Sequence, residues 1–248
     1  MTGILVIGAT SAIAQACVDE WILRDPHSRF FLVARNPQRL KQLADDASVR
    51  TSQPSGFFEL DVNDLDKHPA MITAALQHLG TLDRILIAPG TLPDQAIMEQ
   101  DARQAVREFN SNATSLIGLM TLLANVLEAQ KSGKMAVISS VAGDRGRASN
   151  YLYGAAKAAL STFCSGLNVR LSRSGAHLMT VKPGFVATPM TAGLPLPEKL
   201  VASPQRVAQG IVTGLEKDRN VLYVPGFWWL IMWIIRTIPT VIFKRLSL

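Results

Sequence analysis

Short apolar runs alternate along the chain with longer stretches in which apolar residues recur at helical spacing. The runs predict strands at residues 4–7, 30–34, 56–60, 84–88, 135–139, 177–181 and 221–224. The longer stretches predict helices at about residues 11–24, 37–47, 69–79, 99–107, 110–130, 151–171 and 204–216. Strands that are apolar at consecutive positions are buried on both faces, as in a parallel sheet with helices on both sides. The pattern therefore predicts an α/β fold: a Rossmann-like, doubly wound parallel sheet in a three-layer α/β/α arrangement.

Two segments depart from this alternation. Residues 189–203 are rich in proline and lack a period, which predicts a mobile loop of the kind that closes over a binding site. Residues 227–248 form an apolar tail that holds three of the four tryptophans. We therefore divide the chain into a folded domain at residues 1–225 and an apolar, helical C-terminal tail at residues 226–248.

The tail allows three interpretations. Its uninterrupted apolar core, residues 227–235, is much shorter than a membrane-spanning helix of about 20 residues. Tryptophans beside aliphatic residues, with Arg236, Lys244 and Arg245 nearby, favour a helix that lies at a membrane surface. Burial of the tail in an oligomer or in the protein's own core is the second interpretation, and a true membrane span is the third.

Composition narrows the functional classes. The chain is 48% hydrophobic over 248 residues, which suits a folded domain with a sizeable core and argues against disorder. Its net charge of +6 favours an anionic partner, but the basic residues are scattered and no zinc-finger spacing occurs, so nucleic acid is not expected. The four histidines show no ligand spacing, and no metal site is expected.

Cysteine usage and the N-terminus bear on the compartment. Cys17 and Cys164 both fall in predicted helices and indicate no disulfide framework, which fits a reducing compartment. The chain begins directly with a strand pattern and shows neither the basic region nor the long apolar run of a signal peptide. We therefore expect a cytoplasmic protein that is peripheral on the inner face of the cytoplasmic membrane.

A turn that suits a dinucleotide follows the first predicted strand. Residues 8–14 read GATSAIA and lead from the strand into a helix. At this position a dinucleotide-binding fold receives the pyrophosphate on backbone N–H groups and on the helix N-terminus. The candidate binding residues are Gly8, Thr10, Ser11, Ala12 and Ile13. Alanine takes the places of the later glycines, so an ordinary strand-to-helix turn remains the alternative.

The next two strand ends bear on the choice of cofactor. Arg35 follows the second strand, where an NAD-binding chain carries an acidic residue for the ribose 2′-hydroxyl. A guanidinium suits a 2′-phosphate instead, so we predict NADP(H); a solvated arginine that opens a helix is the alternative. Asp61 and Val62 follow the third strand, where an adenine amino group would find an acceptor, although Asp61 equally suits a turn or a helix cap.

Tyr153 and Lys157 lie one helical turn apart, among alanine and glycine. A free tyrosine has a pKa of about 10, and a cation within about 4–6 Å lowers that pKa by stabilising the phenolate. Such a tyrosine can exchange a proton with a carbonyl oxygen, and Ser140 would hydrogen-bond the same oxygen. Two rivals fit less well, because Tyr151 lacks a lysine four residues later and Ser139 points to the opposite face of its strand.

These residues resemble the catalytic set of the short-chain dehydrogenase/reductase family. In that family a serine precedes Tyr-x-x-x-Lys, and an asparagine lies upstream, which corresponds here to Asn112 rather than to Asn110. The resemblance covers residues 3–225 and includes the family's PG-x-x-x-T pattern at residues 183–188. It implies that Lys157 also bonds the nicotinamide ribose and that Asn112 holds a water in a proton relay. The cofactor-binding residues that it implies are Gly90, Tyr153, Lys157, Pro183, Gly184, Val186 and Thr188.

One departure from the family concerns the end of the fourth strand. The family usually reads Asn-Asn-Ala-Gly there, whereas residues 87–90 read IAPG, which puts bracing by asparagine side chains in doubt. This departure, the GATSAIA turn and residues 236–243 together resemble the branch that contains decaprenylphosphoryl ketopentose reductase. The resemblance implies NADPH-dependent reduction of a ketone on a small-molecule or lipid-linked carbonyl substrate, such as a keto sugar on a lipid carrier. It also implies a homodimer or homotetramer.

Two other functions stay open at this point. The first is a soluble acyl or small-carbonyl reductase whose tail joins the subunits of an oligomer. The second is a non-catalytic, NADPH-binding membrane scaffold, which the alanine at position 12 of the first turn motivates.

Overall fold

The computed structural model describes residues 1–246; Ser247 and Leu248, the last two residues of the predicted tail, lie outside the described residues. The strands of the described chain are β1 (Gly3–Ile7), β2 (Arg29–Ala34), β3 (Gly56–Glu59), β4 (Arg84–Ile87), β5 (Lys134–Ile138), β6 (His177–Pro183) and β7 (Val221–Val224). They pair in parallel in one sheet, in the order β3-β2-β1-β4-β5-β6-β7. The order reverses between β1 and β4, so the prediction of a doubly wound, Rossmann-like sheet is confirmed.

The α-helices of the described chain are α1 (Ala12–Arg24), α2 (Pro37–Thr51), α3 (His68–Leu79), α4 (Gln95–Gln100), α5 (Ala102–Phe109), α6 (Ser115–Gln130), α7 (Tyr151–Ser172), α8 (Pro204–Glu216), α9 (Trp228–Thr237) and α10 (Thr240–Phe243). Two helices, α4 and α5, replace the single one predicted at residues 99–107. Asp94 caps α4 by accepting hydrogen bonds from two backbone N–H groups, and Asp101 caps α5 by accepting one from Gln104. Each aspartate therefore starts its own helix.

The two faces of the sheet contribute to two separate hydrophobic cores. In β1, Ile4 and Val6 belong to one core and Leu5 and Ile7 to the other, because successive strand residues face opposite sides. Helices α1, α2 and α8 cover the first face, and α3, α6 and α7 cover the second. Each core also buries one of the two cysteines as a free thiol. The predicted three-layer α/β/α arrangement is confirmed.

Helices α5 and α6 form one continuous helical run, Ala102–Gln130, with a single π-helical turn at Asn110–Thr114 between them. Within the described part of the chain, this is the one helical run that is long and apolar enough to cross a membrane. Half of its most apolar stretch is buried inside the structure, where α6 packs against the sheet. Such burial is typical of a core helix.

Helix α9, the first helix of the tail, packs against the domain with one side only. Its inner face carries Trp228 and Met232, which are buried in a small cluster with Val141 of the turn that follows β5. The residues of its outer face are about half exposed, and they are Trp229, Leu230, Trp233 and Ile234. The helix therefore presents apolar side chains to the domain and to its surroundings at once.

Candidate active site

The turn after β1 leads the chain from the sheet into α1. Gly8 has a φ of +78°, a left-handed conformation that favours glycine. A Cβ at this position would lie 2.7 Å from the backbone nitrogen of Pro89, so any larger residue would clash. Ser11 caps α1 by accepting a hydrogen bond from the N–H of Ala14 at 3.2 Å. The turn thus presents bare backbone beside a helix N-terminus, an arrangement that suits phosphate groups.

A cleft opens at the carboxyl ends of β1, β2, β3 and β4, where the strand order reverses. Seven of the predicted cofactor-binding residues line it, namely Gly8, Thr10, Ser11, Arg35, Asp61, Val62 and Gly90. Several residues that the sequence pattern does not single out also line it, among them Asn63, Ala88, Pro89, Thr91 and Ser111. Ala12 and Ile13 do not belong to the described lining of the cleft, because they form the first turn of α1, where Ile13 packs against the core.

Asp61 shapes the chain at the end of β3. Its Oδ1 accepts hydrogen bonds from the backbone N–H and the side-chain amide of Asn63, at 2.9 and 3.1 Å. Asn63 in turn donates to Ser111 at 2.9 Å and accepts from Ser115 at 2.7 Å. Asp61 therefore forms a turn, as its alternative interpretation predicts, and also lines the cleft. Asn63 was missed because its partners lie 48 and 52 residues further along the chain.

Ser140, Tyr153 and Lys157 come together where β5 ends and α7 begins. The side chains of Ser140 and Tyr153 share a hydrogen bond. The Nζ atom of Lys157 lies 5.7 Å from the centroid of the Tyr153 ring. Lys157 is only 2% exposed, and it donates a hydrogen bond to the carbonyl oxygen of Ile138 at 3.2 Å. A hydroxyl, a phenol and an ammonium group thus surround one point at the edge of the sheet.

Burial controls the protonation of this pair. It raises the pKa of Tyr153 to about 12, and the hydrogen bond with Ser140 offsets only part of that rise. It lowers the pKa of Lys157 from 10.5 to about 8. The expectation that Lys157 lowers the pKa of Tyr153 is therefore wrong for this structure, because removal of the phenol from water raises that pKa. Tyr153 therefore keeps its proton at neutral pH, which is the form that can donate it.

Asn112 lies in the π-helical turn and is 1% exposed. Its Oδ1 accepts a hydrogen bond from the N–H of Thr91 at 3.0 Å. Its Nδ2 donates to the hydroxyl of Thr91 at 2.8 Å and to the carbonyl oxygen of Glu108 at 3.0 Å. A Cβ at Gly90 would lie 3.1 Å from Asn112 Oδ1 and 3.3 Å from Lys157 Nζ, so these three residues meet beside the cleft.

Thr91 provides the bracing that the absent asparagine pair put in doubt. Besides its bonds with Asn112, its hydroxyl donates to the carboxylate of Glu108 at 2.5 Å. These bonds tie the loop after β4 to the helical run that carries Asn112. No local pattern indicates this role, since Asn112 lies 21 residues beyond Thr91.

The rival candidates lie outside the constellation. Ser139 donates a hydrogen bond to the carbonyl oxygen of Lys157 at 3.0 Å and shares one with the hydroxyl of Ser161 at 2.7 Å. It therefore fastens β5 to α7. Tyr151 is 47% exposed, and Asn110 is an exposed residue.

The end of β6 is in contact with helix α9. Pro183 is the last residue of β6, and a Cβ at Gly184 would lie only 1.9 Å from two indole atoms of Trp228. The indole also packs edge-on against the ring of Phe185, with 5.1 Å between centroids. The inner face of α9 thus rests on the segment that carries the PG-x-x-x-T pattern.

The rest of that segment is fixed by short contacts. Val186 forms a β-bridge with Ala202. The N–H of Thr188 donates to the hydroxyl of Thr191, which in turn donates to the carbonyl oxygen of Val186 at 2.5 Å. Within the described chain, the predicted cofactor residues from 183 to 188 do not line the cleft at β1–β4. The loop at residues 189–203 holds two 3₁₀ turns and no α-helix, and its role as a lid stays a prediction.

Asp144 joins three parts of the site. It lies in the turn after Ser140, and its side chain is 3% exposed. One carboxylate oxygen accepts from Lys182 Nζ at 2.5 Å, and the other accepts from the hydroxyl of Tyr223 at 2.7 Å. This network connects the turn that follows Ser140 with β6 and β7.

Arg145 fastens the tail to the same turn. Its guanidinium donates to the carbonyl oxygens of Ile235 and Ile238, at 2.5 and 2.7 Å, near the end of α9. It also lies over the ring of Phe243, 3.7 Å from the centroid. The tail helices are therefore attached directly to the turn that begins at Ser140.

Residues 1–246 contain no group of three or more His, Cys, Asp or Glu placed to hold a metal ion. The described site instead combines a phosphate-suited turn, a cleft at the switch point of the sheet, and a buried Ser-Tyr-Lys constellation. These features are those of a dinucleotide-binding α/β protein.

Comparison with known proteins identifies the family. The family model for short chain dehydrogenase matches residues 2–199. An uncharacterized oxidoreductase of Mycobacterium tuberculosis is 34% identical over 218 residues, covering 87% of this chain and 86% of that protein. An uncharacterized oxidoreductase of Streptomyces coelicolor is 33% identical over 249 residues, covering 98% and 95% of the two chains. The chain belongs to the short-chain dehydrogenase/reductase family.

Solved structures show the same fold at low sequence identity. A short-chain dehydrogenase from Sphingobium yanoikuyae in complex with NADPH superposes with a TM-score of 0.82 at 22% identity, covering 97% of both chains. An actinorhodin polyketide ketoreductase with NADPH superposes with a TM-score of 0.79 at 19% identity, covering 92% of this chain and 97% of that one.

Proposed function

We propose that this protein is an NADPH-dependent oxidoreductase that reduces a ketone on a lipid-borne substrate, with Tyr153 as the proton donor. The observation that carries the proposal is the meeting of Ser140, Tyr153 and Lys157 at the carboxyl edge of the sheet. Lys157 reaches Gly90, which also lines the cleft, so the constellation and the cleft are contiguous. Membership of the short-chain dehydrogenase/reductase family supports the same reaction class.

The residues of the cleft fit NADP(H). Gly8 leaves no Cβ at the turn, so backbone N–H groups near the start of α1 would hold the pyrophosphate. Arg35 lines the cleft just after β2, where its guanidinium would bind the 2′-phosphate. NADPH in complexes of proteins with the same fold agrees with this choice. When bound, the cofactor supplies the hydride that is delivered to the substrate carbon.

The chain's own residues handle the proton and orient the substrate. Tyr153 gives its proton to the carbonyl oxygen, and Ser140 hydrogen-bonds that oxygen and holds it in place. The phenolate that remains lies near the ammonium group of Lys157, whose positive charge stabilises it. Asn112 holds the loop after β4 in position through Thr91 and lies next to Lys157, where the family resemblance places a relay water.

The outer face of α9 supports contact with a membrane surface. Its two tryptophans and two aliphatic residues are about half exposed, which is the composition of helices that lie at a bilayer interface. No acidic residue follows Asp218 in the sequence, whereas Arg236, Lys244 and Arg245 lie within the tail. Helix α9 has 10 residues, about half the length of a membrane span. We therefore place the protein on the cytoplasmic face of the membrane, where a lipid-linked keto sugar would reach the site.

A panel assay tests the reaction. Consumption of NADPH is followed by absorbance with small ketones, acyl thioesters and keto sugars on polyprenyl phosphates in vesicles. Turnover confined to the lipid-linked substrates supports the proposal, and turnover of small carbonyls alone identifies the alternative reductase. Measurable NADPH binding with no turnover of any carbonyl would contradict the proposal and favour the scaffold.

Vesicle co-sedimentation tests the membrane contact. Leu230→Ser with Ile234→Ser removes two side chains of the outer face, and we expect the partition coefficient on anionic vesicles to fall by about tenfold or more. Leu23→Ser with Val49→Ser removes comparable side chains that are 78% and 80% exposed elsewhere, and should leave binding unchanged. Unchanged vesicle binding together with a smaller oligomer for the first variant would assign the outer face to subunit contacts instead.

A further inference from the structure

The π-helical turn at Asn110–Thr114 interrupts the long helical run and carries Asn112. Such turns are rare, and they occur frequently at functional sites. Ser115 closes the turn by donating to the carbonyl oxygen of Asn110, both with its N–H and with its hydroxyl, the latter at 2.7 Å. Side chains that follow two different strands, β3 and β4, also bond to this turn. The turn is therefore fixed from outside the helix as well as by its own backbone.

On the β4 side, Thr91 fixes the amide group of Asn112. The N–H of Thr91 donates to Asn112 Oδ1, and Asn112 Nδ2 donates to the hydroxyl of Thr91 and to the carbonyl oxygen of Glu108. Both hydrogens of the amide are therefore used, which sets its orientation. A Cβ at Gly90 would lie close to both Asn112 Oδ1 and Lys157 Nζ, at 3.1 and 3.3 Å. A displacement of the π turn would thus change the surroundings of Lys157.

On the β3 side, Asn63 holds the same turn. Its Nδ2 donates to the hydroxyl of Ser111 at 2.9 Å and to Asp61 Oδ1 at 3.1 Å. Its Oδ1 accepts from the hydroxyl of Ser115 at 2.7 Å. Ser111 precedes Asn112 and Ser115 follows it, so Asn63 bridges the two ends of the turn. Because both hydrogens of its amide are used within the protein, Asn63 is placed to act on the turn rather than to donate to a cofactor.

The place of Asn63 in the cleft makes these hydrogen bonds sensitive to a bound cofactor. Asn63 is exposed and lines the cleft beside Asp61, where the adenosine end of the cofactor would cover it. Hydrogen bonds strengthen where water is excluded, because the local dielectric constant falls and water no longer competes for the same groups. Ser115, in contrast, is 3% exposed and does not belong to the described lining of the cleft. A bound adenosine would therefore reach Ser115 only through Asn63.

We propose that Asn63 is a positioning residue that couples the adenosine end of the cofactor to the π turn, and through the turn to Asn112 and Lys157. The proposal rests on the proposed function and adds a way in which cofactor binding prepares the catalytic constellation. Asn63 acts through Ser111 and Ser115 and not on the substrate carbonyl group itself. Binding energy from a part of the cofactor that does not react is in this way used to order the site.

Hydrogen exchange followed by mass spectrometry tests the coupling without a ketone substrate. The full chain is measured alone and saturated with adenosine 2′,5′-bisphosphate, which carries the adenosine end and the 2′-phosphate but no nicotinamide. Calorimetry first gives the dissociation constant for each protein, so that all of them are compared at saturation. In the wild type we expect the amides of residues 110–116 to exchange at least about fivefold more slowly when the ligand is bound.

Asn63→Ala and Ser115→Ala each remove the bond between these two residues and should reduce the slowing to less than about twofold. A merely structural role would speed exchange equally with and without ligand and would leave the ligand-dependent slowing intact. Asn125→Ala is the matched control and should keep the full slowing, because Asn125 is an exposed asparagine later in the same helical run, where it accepts from Arg170 at 2.7 Å. With the ketone from the panel assay, Ser115→Ala should also lower kcat by about tenfold and leave the KM for NADPH within about twofold.

The outcomes separate this inference from the proposed function. Failure of the wild type to bind adenosine 2′,5′-bisphosphate would contradict the cofactor assignment, and the coupling with it. Binding without slower exchange at residues 110–116 would refute the coupling alone. Slowing that persists in Asn63→Ala would show that the ligand acts on the turn by another contact. An unchanged kcat for Ser115→Ala would show that the turn does not position the constellation.

Discussion

Replacing Gly184 with alanine should destabilise the protein because the indole of Trp228 occupies the space that a Cβ needs. The added carbon would lie 1.9 Å from Nε1 and Cε2 of Trp228, far inside van der Waals contact. The ring has little freedom to withdraw, since Trp228 is 3% exposed and packs edge-on against Phe185. The backbone at Gly184 is not in the left-handed region, so alanine brings no separate conformational strain.

The cost follows from overpacking. Forcing additional carbon atoms into a close-packed core costs about 1–3 kcal/mol, and we expect the upper part of that range for Gly184→Ala. Trp228→Ala alone should cost about 3–5 kcal/mol through the cavity that it leaves. In the Trp228→Ala background the space is vacant, so the alanine at position 184 should cost less than about 0.5 kcal/mol. The double-mutant cycle then gives a coupling of about 2 kcal/mol.

Urea unfolding followed by far-UV circular dichroism measures the four proteins of this cycle, since that signal does not depend on the tryptophan that is removed. Gly166→Ala is the matched control: Gly166 lies exposed within α7 with no atom within 4 Å of its would-be Cβ. That substitution should stabilise the protein by about 0.5–1 kcal/mol, because alanine favours helix. If Gly184→Ala costs the same in both backgrounds, Trp228 does not rest on Gly184 and the tail is not part of the site.

Two further predictions concern the cleft and the buried lysine. Arg35→Asp should weaken NADPH binding by about tenfold to a hundredfold and leave NADH binding unchanged, because it removes a charge-assisted bond to the 2′-phosphate. A fluorescence titration measures both affinities, and an equal loss for the two cofactors would refute this assignment. Burial lowers the pKa of Lys157 from 10.5 to about 8, so the unfolded state binds more protons than the folded state between these pH values. The cost of burying the charged lysine therefore reduces the free energy of unfolding in full below about pH 8 and disappears as the pH rises above 10.5. Lys157→Met should therefore raise the free energy of unfolding at pH 7 by about 1–3 kcal/mol and by less at pH 10; a gain that does not change with pH would contradict this account.

Much of the fold could be predicted from the sequence because the strands are buried on both faces. Such strands appear as continuous apolar runs, and all seven predicted runs form strands of one sheet. Helix bounds were less accurate where capping residues decide them. The prediction of a single helix at residues 99–107 was wrong, because Asp94 and Asp101 each cap a separate helix.

The residues of the site divide in a similar way. Tyr153 and Lys157 could be paired from the sequence because one helical turn fixes their separation, and Ser140 follows from its place at a strand end. The contacts of Asn63 and Trp228 could not be predicted from the sequence, because their partners are distant in the chain and no local pattern encodes them. The rise in the pKa of Tyr153 could not be predicted from the sequence either, since it depends on burial of the phenol by the folded chain.

The proton-donor role of Tyr153 is the central claim, and one comparison tests it most directly. The rate of NADPH oxidation with the substrate from the panel assay is measured for the wild type and for Tyr153→Phe, together with the NADPH dissociation constant of each. Loss of a general acid lowers the rate by about 10²–10⁴, so the account predicts a fall of that size with NADPH binding unchanged within about twofold. A Tyr153→Phe variant that oxidises NADPH as fast as the wild type would contradict it.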